Sequence, residues 1–175
     1  LRFNWNAAIA QDPFDRNTIY FGSQYLHKSS DKGISWEAIS GDLSTNDSSK
    51  IDQNQNGGLS LDITGAENHC TILTIAPSAR EKGVIWVGTD DGNVQLTRDG
   101  GKTWTSFYGK IPGMPTGCWI PQVKASVYNA GEVFVVANDY RRGDMKPYIF
   151  RTTDYGKTWT RMIDENKVKG YALCV

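Results

Sequence analysis

The residues with the clearest capacity for chemistry are three aspartates in the same local context. Asp31, Asp99 and Asp154 each lie two residues after a hydroxyl residue, two before a glycine and five before a tryptophan. A row of carboxylates can act in acid–base catalysis, so a catalytic site is one interpretation. Three copies on three separate turns would not converge on one site, whereas a structural turn has to recur in every repeated unit. We therefore interpret the motif as structural.

The motif has the chemistry of a tight β-hairpin. An Asp at the head of a turn accepts hydrogen bonds from backbone N–H groups one or two residues on, Gly permits a positive φ, and a Ser or Thr hydroxyl adds a local bond. The Trp follows on the returning strand, where its large ring can be buried. The three predicted hairpins contain Ser29, Asp31, Gly33 and Trp36; Thr97, Asp99, Gly101 and Trp104; and Thr152, Asp154, Gly156 and Trp159.

Short β-branched and aromatic runs flank each motif, and no stretch shows a useful helical periodicity. The pattern predicts an all-β fold of stacked four-stranded antiparallel sheets. The predicted units cover about 3–40, 70–110 and 118–164, and the apolar run at 170–175 is expected to start a further one. Within the third unit we expect strands over 122–127, 133–137, 148–151 and 158–162, with a loop over 138–146.

The segment 41–69 differs from the rest of the chain because it is rich in Ser, Asn, Asp, Gln and Gly. Such a composition buries little apolar surface, so we expect an insertion between the first two units. One interpretation is a solvated excursion. The other is that residues 42–56 fold over one face of the protein and line a binding cleft.

The motif resembles the Asp-box of the bacterial neuraminidase repeat (BNR), which sialidases, xyloglucanase-type glycosidases and sortilin-type receptors share. Segments 3–7, 85–93 and 146–148 resemble more narrowly the large bacterial proteins described as sortilin-like or BNR-repeat glycosyl hydrolases. The resemblance implies a β-propeller in which each motif joins the third and fourth strands of a blade. Because a propeller has about four blades or more and the chain has three motifs, we expect a partial propeller, whose remaining blades belong to the parent chain.

Ligands of a propeller usually meet the inner strands and the loops at one end of the central channel, where side chains from several blades converge. An exposed indole there is a platform for a sugar ring or a peptide side chain, although burial between blades is the commoner outcome for Trp. The candidate ligand-binding residues are Trp5, Trp119, Asp139, Tyr140 and Arg141, with Asn4, Asn6 and His69 near the starts of inner strands.

Two functions follow as hypotheses. We prefer a non-catalytic scaffold, part of a larger protein, that recognises a protein, peptide or glycan. The alternative is part of a glycoside hydrolase, which needs two carboxylates roughly 5 to 10 Å apart. No spacing singles out a pair, and no catalytic residue is identified among the candidate acids Asp90, Asp91, Asp139 and Asp144.

Composition limits the partners. The net charge is zero with acids and bases interspersed, so nucleic acid is not an expected partner. No apolar run is long enough to span a membrane, and the resemblance implies an extracellular or periplasmic location.

We expect no cofactor and no metal. His27 and His69 lack acidic or thiol companions at ligand spacing, and calcium at the turn 90–93 would need about six oxygens or more. Cys70, Cys118 and Cys174 fit no metal or redox spacing. They are interpreted as small buried thiols, with a Cys70–Cys118 disulfide as the alternative in an exported protein.

Overall fold

Within residues 1–52 and 68–175, which the computed structural model describes, the chain forms three four-stranded antiparallel sheets, here called blades 1 to 3. Blade 1 contains β1 (Ile9–Gln11), β2 (Ile19–Gly22), β3 (Leu26–Ser29) and β4 (Glu37–Ala38); blade 2 contains β5 (Ile72–Pro77), β6 (Ile85–Thr89), β7 (Val94–Thr97) and β8 (Thr105–Ser106); blade 3 contains β9 (Trp119–Ala125), β10 (Val133–Asp139), β11 (Asp144–Thr152) and β12 (Thr160–Arg161). A short helix, α1 (Ser48–Ile51), follows blade 1. The predicted all-β class and the sheet type are confirmed.

Each strand pairs with the next along the chain, and blade 3 departs most from the predicted strand bounds. β9 begins at Trp119, and β11 begins at Asp144, inside the predicted loop 138–146. The loop is short because a 3₁₀ turn over Tyr140–Arg142 ends at Gly143, whose φ of 84° lets Asp144 pair directly with Asp139. The expected strand over 170–175 is not formed. That segment lies beside β9, where Val175 bonds to Gln122 and Lys124.

Two close contacts set the distance between blades. At Gly22 in blade 1, a Cβ would lie 2.7 Å from the Ile72 side chain of blade 2. At Gly88 in blade 2, a Cβ would lie 2.5 Å from the Ile120 side chain of blade 3. Both distances are shorter than carbon atoms tolerate, so only glycine on the second strand admits the isoleucine of the next inner strand.

The apolar cores lie between the blades. Leu26, Ile72 and Val87 belong to the core between blades 1 and 2, and Trp104 packs against its edge. Between blades 2 and 3, Trp159 meets the rings of Trp86 and Phe107 edge-on at 6.2 and 5.6 Å between centroids. The Trp of a turn motif thus packs towards the preceding blade.

The three turn motifs share one set of hydrogen bonds. In the second copy, the Thr97 hydroxyl accepts from the Gly101 N–H at 2.9 Å and donates to the Asp99 carboxylate at 2.8 Å. The same carboxylate accepts from the Thr103 N–H at 2.9 Å and from the Thr103 hydroxyl at 2.6 Å. The expectation that Asp accepts from residues one or two positions on is therefore wrong, because the donors lie four positions on. The other copies repeat this pattern through Ser35 and Thr158.

Two consecutive residues of each motif have a left-handed backbone. The glycines do so as predicted, at φ values of 91°, 102° and 83° for Gly33, Gly101 and Gly156. The residue before each glycine does so too, and it need not be glycine, since Lys32 and Tyr155 have φ values of 63° and 60°. The local hydrogen bonds compensate for the backbone strain at these two side chains.

The burial of the motif Trp predicts unequal effects of one substitution. Trp104→Ala should lower the free energy of unfolding by about 3 kcal/mol, because it removes a ring packed between two blades. Trp36 is the matched control, since it occupies the same motif position but is 44% exposed beside Phe21. Trp36→Ala should cost about 1 kcal/mol. Urea unfolding would measure both, and equal losses would contradict this account of packing.

The motif aspartates predict a loss of stability in acid. Hydrogen bonds from the hydroxyls of Ser35, Thr103 and Thr158, then from backbone N–H groups, lower the pKa of Asp31, Asp99 and Asp154 from 3.8 to about 2. Because the folded pKa is depressed, the stabilisation is complete above the ordinary pKa and is lost as the pH falls towards 2. The urea midpoint should therefore fall between about pH 4 and 2, and less steeply in Asp99→Asn. An unchanged slope in that variant would refute the assignment.

Candidate ligand-binding cavity

A cavity of about 170 Å³ lies at the end of the blades where the inner strands begin. It is lined from all three blades, by Asn6 before β1, Leu73 in β5, Trp119 and Pro121 in β9, Asn138 in β10, Tyr140 and Arg141 in the 3₁₀ turn, and Leu173 near the end of the chain. No carboxylate is among these lining residues, so within the described part of the chain the cavity has no acid to donate or accept a proton.

Two buried polar atoms of opposite character line the cavity. Trp119 and Asn138 face each other across β9 and β10 as register partners, so their side chains lie on one face of the sheet. Trp119 is 9% exposed and Asn138 is 2% exposed. The indole Nε1–H of Trp119 and the Oδ1 of Asn138 have no hydrogen-bond partner in the described structure. Since buried polar atoms are normally paired, these two atoms are exceptions among the residues that line the cavity.

An arginine covers the indole face. The guanidinium carbon of Arg141 lies 3.4 Å from the ring centroid of Trp119 and 4.7 Å from that of Tyr140. Tyr140 stacks in turn on Tyr171, with ring centroids 4.5 Å apart. Of the two alternatives for Trp119, the structure therefore favours burial over an exposed platform, because a cation–π contact covers the ring face.

Two other candidates lie outside the cavity. Trp5 is 86% exposed, although its neighbour Asn6 is part of the lining. Asp139 accepts from Arg142 Nε at 2.6 Å, and Arg142 also donates to the Thr116 carbonyl at 2.7 Å. This pair therefore links the 3₁₀ turn to the segment that precedes β9. The structure thus unites Trp119, Tyr140 and Arg141 but separates them from Trp5 and Asp139.

The candidate acid Asp90 is fully buried in the turn between β6 and β7. It accepts from the Thr71 N–H at 2.8 Å and the Thr71 hydroxyl at 2.7 Å, and His69 Nδ1 lies 4.0 Å away. Burial, and then the charge of Asp91, raise the pKa of Asp90 from 3.8 to about 7. A carboxyl with that pKa suits general acid chemistry, but this one has no access to a substrate.

Asp91 anchors the beginning of the insertion. It accepts from the Thr45 N–H and hydroxyl, both at 2.7 Å, and from the Thr89 hydroxyl. Nearby, the side chains of Asn93 and Gln95 donate to the carbonyl of Leu43, which is buried. The solvated interpretation is therefore wrong for residues 43–45. The part of the insertion at 53–67 lies outside the described residues.

The remaining acid and the cysteines have local explanations. Asp144 accepts from the Tyr148 hydroxyl at 2.7 Å. Cys70 and Cys118 are buried free thiols, whereas Cys174 is exposed, so burial of all three was a wrong expectation for Cys174. Burial raises the pKa of Cys70 and of Cys118 to about 12, which keeps both protonated. Across residues 1–52 and 68–175, no three His, Cys, Asp or Glu side chains are grouped to hold a metal.

Comparison with known proteins relates the chain to glycosidases in sequence. No family model matches it. An oligoxyloglucan-reducing end-specific xyloglucanase of Emericella nidulans is 33% identical over 91 residues, which are 50% of this chain and 11% of that enzyme. The chain therefore spans only a small part of this relative.

Comparison of structures shows the fold. A crystal structure of an ancestral GH74 enzyme aligns with a TM-score of 0.60 and 14% identity, over 87% of this chain and 17% of the other. The GH74 xyloglucanase of Xanthomonas campestris aligns at 0.59 and 20%, over 88% and 22%. A YCF48 protein bound to D1 peptide aligns at 0.53 and 18%, over 92% and 42%. The predicted partial β-propeller is confirmed.

Sequence reasoning missed much of the cavity wall. Asn138 falls in the predicted loop 138–146, Leu73 and Leu173 fall within the predicted units at 70–110 and 170–175, and Pro121 precedes the predicted strand 122–127. The register of β9 and β10, which opposes Asn138 to Trp119, is the signal that could have found Asn138.

Among the described residues, no helix is long and apolar enough to cross a membrane.

The raised pKa of Asp90 predicts that one substitution stabilises the protein. Because the folded pKa lies above the ordinary value of 3.8, stability should fall as the pH rises from about 4 to 7. Asp90→Asn mimics the protonated acid, so its unfolding midpoint should match the parent at about pH 3.5, below the ordinary pKa, and exceed it at pH 8. Asp91→Asn is the contrasting variant, since it weakens the bonds to Thr45 and should destabilise. Thermal unfolding at the two pH values tests this, and a less stable Asp90→Asn protein at pH 8 would contradict it.

Proposed function

We propose that the chain is part of a larger exported propeller protein, sortilin-like and of the Asp-box (BNR) type, that recognises a protein, peptide or glycan ligand without chemical turnover. The observation that carries the proposal is the cavity at the inner-strand end, to which all three blades contribute side chains. This is the end of a propeller where convergent side chains can meet one ligand.

The chemistry of the cavity favours binding. Its polar atoms are a fixed donor on Trp119 and a fixed acceptor on Asn138, both buried and unpaired, beside the cation of Arg141. A ligand that pairs them gains hydrogen bonds that the free protein does not make internally. A hydrolase would need two carboxylates facing the ligand, and the four candidate acids are each engaged elsewhere.

The repeated hydrogen-bond pattern supports the Asp-box assignment. Each motif carboxylate is satisfied by donors from its own turn, so the three aspartates act in folding and leave the ligand to the inner strands. Export and the sortilin-like identity rest on the sequence resemblance. The similarity to a xyloglucanase accords with a glycan among the possible ligands.

Arg141→Ala tests the site. It removes the cation at the rim of the cavity and uncovers Trp119, so we expect binding of the ligand to weaken about tenfold or more, with the unfolding midpoint little changed. Arg16→Ala is the matched control, because Arg16 is exposed in the loop between β1 and β2 and carries the same charge. A glycan and peptide binding screen on the protein, followed by titration of each hit, provides the measurement. Equal affinity in both variants would place binding elsewhere.

A second candidate function is glycoside hydrolysis, favoured by the xyloglucanase similarity over half of the chain. It predicts that at least one of Asp90→Asn, Asp139→Asn and Asp144→Asn abolishes sugar release by the protein without lowering its melting temperature. The recognition proposal predicts that all three leave every activity unchanged. Product analysis of each bound glycan distinguishes the two, since shortened products arise only from a hydrolase.

A further inference from the structure

Two residues that line the cavity carry one group that can only donate a hydrogen bond and one atom that can only accept one. An indole N–H only donates, and the Oδ1 of Asn138 only accepts. The Asn138 amide is oriented by its Nδ2, which lies 3.5 Å from the Ala172 carbonyl, so Oδ1 is the atom left without a partner. A complementary ligand group must therefore offer a fixed acceptor and a fixed donor within one small unit.

Three of the other lining residues are apolar. Leu73, Pro121 and Leu173 line the same cavity, and the volume of about 170 Å³ is several times the roughly 30 Å³ that one water occupies in the liquid. A bare sugar hydroxyl could bond to the polar atoms but would leave these apolar side chains facing polar atoms or water. A polar group that also carries a methyl would contact both the polar atoms and the apolar side chains of the cavity.

We infer that the cavity binds the 2-acetamido group of an N-acetylated hexosamine within a neutral glycan, an inference that rests on the proposed function. The acetamido carbonyl accepts from the Trp119 Nε1–H, its N–H donates to Asn138 Oδ1, and its methyl group contacts Leu73, Pro121 or Leu173. The side chains of Asn6 and Arg141 then lie beside the sugar hydroxyls at the rim.

A glycan is the better ligand class than a peptide on two observations. The cavity takes a single compact group and is walled by side chains, whereas peptides are commonly bound along exposed strand edges or in extended grooves. An exposed aromatic ring also lies outside the cavity at Trp5, next to the lining residue Asn6, and such a ring can pack against the C–H face of a further sugar unit.

The test compares two disaccharides that differ only in the group at issue. N,N′-diacetylchitobiose and cellobiose share their ring and linkage, and an acetamido group on each ring of the first replaces the 2-hydroxyl of the second. We expect the protein to bind diacetylchitobiose about tenfold or more tightly in calorimetric titration, as two neutral hydrogen bonds and a buried methyl group would provide.

Substitutions of residues that line the cavity test whether that preference arises there. Asn138→Leu should reduce the preference to near unity, whereas Asn138→Asp keeps an acceptor oxygen and should retain most of it. Because Asn138 is buried, Leu173→Asn serves as a second variant. Leu173 is 55% exposed, so the fold tolerates the change, and loss of the methyl contact should lower the preference severalfold.

The outcomes separate this inference from the proposed function. Suppose that the two disaccharides bind equally, or that a peptide binds instead, and that Arg141→Ala abolishes this binding. The acetamido assignment would then be overturned, whereas the recognition site would remain. A preference for diacetylchitobiose that survives Asn138→Leu and Leu173→Asn would also overturn it. If no screened ligand depends on Arg141, both proposals fall.

Discussion

The contact between an isoleucine of one inner strand and a glycine of the preceding blade is the constraint on which the rest of the arrangement depends. Ile72 packs over Gly22 and Ile120 over Gly88, at distances that leave no room for a Cβ on either glycine. These contacts fix both the spacing and the axial position of each blade relative to its neighbour. Interiors are packed too densely for a blade to shift without opening a void or a clash.

The cavity follows from these two contacts. Leu73 directly follows Ile72, and Trp119 and Pro121 flank Ile120, so the residues that line the cavity belong to the strand ends that the isoleucines hold. The ladders are irregular at these positions, since the register shifts between Ile72 and Thr74 in β5 and between Val136 and Asn138 in β10, opposite the start of β9. The same strands thus provide both the packing between blades and the lining of the cavity.

The carboxylates divide into groups with different physical environments. Those of the turn motifs are near solvent and satisfied by four local donors, which lowers their pKa. Asp90 and Asp91 are buried side by side, and each is satisfied by threonine donors from another segment, so they join Thr71 and Thr45 to blade 2. The neighbouring charge and burial raise the pKa of Asp90, whereas the resulting network holds the start of the insertion in place. The acids of the turn motifs and Asp91 stabilise the fold, whereas the ionised form of Asp90 costs stability, and none of these acids lines the cavity.

The sequence by itself determined the strand-rich class, the three hairpins and the position of Trp119, Tyr140 and Arg141 at the end of the blades where the inner strands begin, because turn chemistry and alternating apolar runs act over a few residues. It did not determine which indole is exposed. Trp36, Trp104 and Trp159 share one motif position, yet Trp104 and Trp159 pack into the cores between blades, whereas Trp36 is 44% exposed beside Phe21. The pairing of Asn138 with Trp119, the cover of Arg141 over the indole, and the attachment of Thr45 to Asp91 were decided by the tertiary structure. Each joins residues about 19 or more positions apart in the chain, and the energy of such a contact exists only once strand register and blade stacking have brought the two segments together.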